Sequence, residues 1–214
     1  MELTNPALDR STAAIVILAA SAAVADREAI GRAVAAAMAA DLPAVAIDEL
    51  VLQSILTIGW PRALVIAEVW RAASNEPATG GDDGLDYADH LEWSRRGEAT
   101  CRIIYGDSYD KLRRNVRRLH PALESWMIVE GYGRTLSRPG LDLGVRELCT
   151  VAQIAVLDAP RQLHSHLLGA LRAGASVDAI DATLELVRPM IDPRGRTETD
   201  ELWRTVRSSV PSGS

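Results

Sequence analysis

Apolar residues recur along this chain at helical spacing. From Gly144 to Leu157, Leu148, Val151, Ala152 and Ala155 form one stripe; from Pro160 to Ala173, Leu163, Leu167, Ala170 and Leu171 form another. Gly174 supplies the stop after the second. Further helices are predicted after Ser108 ("YDKLRRNVRRL"), from Pro121 ("PALESWMIVEG"), after Ser176 ("VDAIDATLELV") and after Thr197 ("ETDELWRTV"), each opened by an N-cap or first-turn residue. No strand-period segment of comparable length interrupts them, so the pattern predicts an all-α fold. "SNEPATGGDDG" (Ser74–Gly84) concentrates Gly, Pro, Asp and Asn and reads as part of a linker between two helical blocks.

Sliding the chain against itself by 133 residues places "EVWR" (Glu68–Arg71) on "ELWR" (Glu201–Arg204), Ile47 on Ile180, Ala37 on Ala170 and Ala19 on Ala152. The expected organisation is a degenerate N-terminal repeat over residues 1–73, a linker over 74–100 and a C-terminal repeat over 101–214 that carries the chemistry. Two such units in one chain pack as the halves of a fused homodimer would. At the same offset Glu147 falls on Ala14, His164 on Gly31 and His166 on Ala33. One site per chain, in the second repeat, is the consequence.

Composition narrows the function classes. Ala, Leu, Val and Ile dominate and Phe is absent, which favours closely packed helices over a sandwich. A net charge of −6 argues against a nucleic-acid partner. "KLRRNVRR" (Lys111–Arg118) is a basic exception, yet Leu112, Val116 and Leu119 run through it at helical spacing, so it reads as the solvated face of an amphipathic helix. The apolar run Ala13–Ala25 is shorter than the ~18 residues a membrane span needs and lacks signal-peptide flanks, so neither membrane nor export is expected. Cys101 and Cys149 form no CxxC motif and fit a reducing cytoplasm.

The candidate chemistry lies in "RQLHSHLLGALRAG" (Arg161–Gly174). On a helix His166 lies about 60° from Leu163 on one side and His164 about 100° away on the other, so the two imidazoles diverge. A shared metal ion wants i, i+4 spacing, and no metal site is expected. Glu147 sits at the edge of the preceding stripe, and antiparallel packing across the short Asp158-Ala159 turn carries it toward the far end of the next helix. A carboxylate bonded to an imidazole fixes its tautomer and suits it to proton transfer near neutral pH.

These motifs resemble the carboxymuconolactone decarboxylase family of the alkylhydroperoxidase D-like superfamily. The likeness runs from Arg102 to Val187 and includes the "GD" element in "RIIYGDSYDKL", the "RPGL" turn and the Glu147…His166 helix pair; the Gly-x-Pro break in Asp48–Trp70 is similar to the family's closing helices. The fold implied is all-α, two tandem repeats of that superfamily's helical unit. Ala159 and Gln162 stand where the peroxidase branch has its CxxC pair, so thiol peroxidase chemistry is not implied. The sequence "REL" replaces the "RSL" of dedicated decarboxylases, and Glu147 matches the wider superfamily's proton-relay glutamate.

The resemblance implies a cofactor-free decarboxylase acting on a small carboxylated lactone. His166 would be the acid/base and Glu147 its orienting partner; Arg161 and His164 would anchor the carboxylate or carbonyl, with Tyr132 as a pocket wall and Arg134, Arg138 and Arg146 as rival anchors. An isomerase, cyclase or hydrolase of a related enolisable carbonyl compound is the alternative. A non-catalytic helical assembly protein and a metal hydrolase are further readings. Single-repeat relatives form rings of three or six, so a homotrimer is expected here, or failing that a homodimer.

Overall fold

The structure, a computed structural model, describes residues 7–75, 77 and 87–210. Its elements are α1 (Arg10–Val24), α2 (Arg27–Ala39), α3 (Ala44–Ser74), α4 (His90–Tyr105), α5 (Tyr109–Leu119), α6 (Pro121–Trp126), α7 (Leu143–Val156), α8 (Pro160–Arg172), α9 (Val177–Val187) and α10 (Pro193–Ser208). Between α6 and α7 the chain continues as a π-helical segment, Met127–Leu136. The described residues hold no strand, so the protein is all-α as the periodicity predicts.

Two helices lie at the centre. α1 is buried without interruption from Ala13 to Ala23 and α7 from Arg146 to Ala155, and they pack against one another. α1, α3, α8 and α9 all pack on α7, so its burial extends beyond the expected stripe and leaves it no solvent-exposed face over this span. α2 and α3 flank α1, while α8 and α9 flank α7, and one continuous core of Ala, Ile, Leu and Val unites them.

The 133-residue offset carries one set of elements onto another. Asp9 and Asp142 cap α1 and α7 with their carboxylates; α2 and α8 start at Arg27 and Pro160, and α3 and α9 at Ala44 and Val177. Trp70 Nε1 donates to Asp48 at 2.9 Å, and Trp203 Nε1 donates to Asp181 at 2.5 Å, in equivalent positions.

Three expectations need correction. The segment 74–100 is not a linker throughout: residues 76 and 78–86 lie outside the described residues, but from Tyr87 the chain is helical. α4 buries Trp93, Gly97, Thr100, Cys101 and Ile104, a helical stripe hidden in the sequence by the many charges around it. The last helix starts at Pro193, capped by Asp192, so Thr197 lies inside it. "PALESWMIVEG" leaves α-geometry at Met127.

α4 and the π segment cross in close contact. A Cβ on Gly97 would sit 2.0 Å from the Ile128 carbonyl oxygen, and one on Gly133 would sit 2.0 Å from that of Trp93. Only hydrogen at both positions allows this approach. α3 is long and apolar enough to suggest a membrane span, but Gly59 (φ 73°) followed by Pro61 breaks it into two shorter helices.

A buried ion pair ties the halves together. Arg146 on α7 is fully buried, and its guanidinium donates to Glu49 on α3 at 2.8 Å, to Gln53 at 3.2 Å and to the Arg138 carbonyl at 3.0 Å. Burial lowers the Arg146 pKa, and the bond to Glu49 works against that. Glu49→Leu would strand this cation and is expected to destabilise the chain by about 3 kcal/mol, read as a lowered urea midpoint.

Candidate functional site

The short connection between α7 and α8 makes them antiparallel neighbours, and this brings Glu147 to His166. Glu147 Oε2 accepts from His166 Nδ1 at 2.9 Å, with Glu147 fully buried and the His166 side chain 14% exposed. A carboxylate at Nδ1 holds the proton there and leaves Nε2 as the ring's free base. Glu147 Oε1 has no hydrogen-bond partner among the described residues. Room for the carboxylate comes from α8, where Gly169 lies so close that a Cβ would meet Glu147 Oε2 at 2.6 Å and Ile104 at 2.7 Å.

His166 faces a cavity of about 470 Å³ whose apolar wall includes Leu56, Leu123, Trp126, Met127, Leu136 and Ile154. Its size suits a small molecule. α3, α6 and the π segment supply most of the wall, and α7 and α8 the remainder. Polar groups on it are Gln53, Thr57, Glu130, Tyr132, Thr150, Gln162 and His166. Most have partners already. Thr57 bonds to Gln153, Thr150 donates to the Arg146 carbonyl, and Glu130 takes the Arg134 guanidinium at 3.1 Å. No Lys or Arg lines the cavity among the described residues.

Tyr132 lines this cavity. It is buried and donates to the Tyr105 hydroxyl at 3.3 Å, the rings meeting edge to face. Burial, then the neighbouring Tyr105, pushes its hydroxyl well above the usual phenol range, and burial pushes Tyr105 up to about 12. Both stay neutral donors at physiological pH.

The other expected anchors lie elsewhere. Two residues along a helix turn about 200°, so His164 faces away from His166 and does not line the cavity. Arg161 lines a neighbouring groove instead. Of the rivals, Arg146 and Arg138 are held by Glu49, and Arg134 by Glu130 and by the faces of Trp93 and Tyr87. Sequence reasoning missed Gln162 as a functional group. It lies one turn before His166 and lines the cavity, and its side chain makes no hydrogen bond to a described residue; the signal was its i, i+4 spacing to the histidine.

Both cysteines are buried and free, with their thiols pushed up to about 12 by burial. Cys101 lies in the small core between α4 and the π segment, and Cys149 on α7. Among the described residues no group of three or more metal-ligating side chains converges.

Fold and site together define an all-helical protein with a buried carboxylate–imidazole pair at the wall of an apolar cavity. Residues 122–194, a segment that contains both Glu147 and His166, match the family model described as the carboxymuconolactone decarboxylase family. No curated protein matches the chain.

Gly169→Ala is expected to push Glu147 off His166 without removing either group, read by NMR as loss of the hydrogen-bonded His166 Nδ1 proton signal. Iodoacetamide at pH 8 is expected to leave Cys101 and Cys149 unlabelled in the folded chain and to label both in urea.

Proposed function

We propose that the chain is a cofactor-free carbon–carbon lyase that removes CO₂ from a small carboxylated lactone, with His166 as the acid that protonates carbon. The 2.9 Å bond from His166 Nδ1 to the buried Glu147 carries this reading, because that carboxylate selects the tautomer and orients the ring at the cavity wall. The bond from the leaving carboxylate to its carbon breaks, and its electron pair moves into the lactone carbonyl as an enolate. Nε2 of the imidazolium then delivers a proton to carbon, and solvent restores it. An apolar wall favours loss of a desolvated carboxylate. The Gln162 carboxamide is the donor for the carbonyl oxygen.

A second reading keeps His166 and Glu147 and replaces decarboxylation by isomerisation or cyclisation of a neutral enolisable carbonyl compound. The absence of Lys and Arg from the cavity wall favours it. Neither reaction uses the cysteines, whose buried thiols stay protonated at neutral pH.

We read α1–α3 and α7–α10 as two copies of one unit, with chemistry in the second. The shared helix starts and the paired Trp–Asp bonds support this. Exposed Leu52, Leu56, Trp60 and Leu64 on α3, with Leu123 and Trp126 on α6, support assembly of several chains, for which we propose a homotrimer. A solution mass measurement should return a multiple of 23.1 kDa, and a monomer would exclude assembly.

Ultraviolet-monitored turnover of γ-carboxymuconolactone with CO₂ detection tests the first reading. His166→Ala is expected to lose at least about 100-fold in rate. Glu147→Gln should lower kcat more than it raises KM, because it acts through His166. A folded wild-type chain without turnover moves the assignment to the second reading, tested by His166-dependent deuterium exchange beside a ketone carbonyl. Neither activity in any substrate would leave the helical-assembly reading.

A further inference from the structure

Among the described residues no Lys or Arg lines the cavity at His166, but two arginines line the space beside it. Arg161 on α8 and Arg118 on α5 line a groove of about 500 Å³, together with Leu112, Val116 and Gln162. Gln162 lines both spaces. The groove residue Tyr105 also meets the cavity residue Tyr132, hydroxyl to hydroxyl. Groove and cavity are therefore neighbours that meet at Gln162 and beside the tyrosine pair.

The two arginines differ from the others around the site. Arg113, Arg134, Arg138 and Arg146 each bond a carboxylate. Arg118 and Arg161 make no ion pair with a described residue, although the chain is acidic overall. Arg118 belongs to the run that reads as a solvated face; the sequence could not show that α8 brings Arg161 opposite it. Leu112 and Val116 give the groove an apolar wall.

We propose that this groove takes the carboxylate tail of the substrate whose carbonyl head occupies the cavity at His166. The assignment rests on the acid–base reading of that cavity and adds the substrate class: a carbonyl compound joined through an apolar spacer to a distal carboxylate. Guanidinium forks match the two oxygens of a carboxylate. Arg161 lies five positions before His166 on α8, a rise of about 7.5 Å, so a carboxylate close to the carbonyl does not bridge the two spaces. Methylenes of the spacer lie along Leu112 and Val116.

Three enolisable methyl ketones test this by calorimetric titration: 7-oxooctanoate, its uncharged counterpart 2-octanone, and the short oxo acid levulinate. The wild-type chain is expected to bind 7-oxooctanoate about tenfold more tightly than either of the others. Arg118→Met and Arg161→Met should each reduce that preference and together abolish it, leaving 2-octanone binding unchanged. Equal binding of 7-oxooctanoate and 2-octanone to the wild type overturns the proposal, and so does a preference that survives in the double variant. Deuterium exchange beside the ketone, compared in wild type and His166→Ala, reports on the cavity separately. Exchange that depends on His166 but ignores both arginines overturns the groove assignment alone. An arginine-dependent preference without His166-dependent exchange retains the groove and overturns the acid–base reading.

Discussion

Burial of α7 on every side is the constraint from which the rest follows. A helix inside the core must still satisfy whatever polar side chains it carries, and α7 carries Arg146, Glu147, Thr150 and Gln153 in fewer than three turns. Successive residues point about 100° apart, so Arg146 and Glu147 turn to different neighbours. Arg146 is met by Glu49, Gln53 and three backbone carbonyls, and Gln153 by Ser54 and Thr57. Glu147 has one partner, His166, for one of its two oxygens. The satisfied groups fasten α3 to α7. The half-satisfied one is a buried charge whose stabilisation depends on a titratable ring at a cavity wall, which is where a fold can spend stability on chemistry.

The Glu147–His166 pair was legible because it depends on local facts. Two helical stripes joined by a two-residue turn must pack antiparallel, and positions near facing ends then meet. The divergence of His164 from His166 followed from the helical period alone. The cavity was not legible, since Leu56, Trp126 and Tyr132 come from α3, α6 and the π segment, and no periodicity records which distant helix closes over a site. Nor does a π segment differ from an α-helix in residue pattern over so short a run. Arg146 looked like an anchor for substrate because an arginine beside Glu147 carries the same letters whether it faces solvent or Glu49. Gly169 gave no sign of its role, which exists only because Glu147 and Ile104 press against it.

The 133-residue correspondence shows where the site's extra parts come from. It relates α1 to α7, α2 to α8, and α3 to α9 and α10, whereas α4, α5, α6 and the π segment fall between the two sets. Those intervening elements provide Leu123, Trp126, Met127 and Tyr132 for the cavity and Leu112, Val116 and Arg118 for the groove. In the first set, Ala14 and Ala33 stand at the positions of Glu147 and His166, and both are buried among the Ala, Ile and Val of the core. Small side chains there let α1 press directly against α2 and α7. Ala14 and Ala33 thus contribute to the dry, closely packed wall against which α7 holds Arg146 and Glu147 away from water.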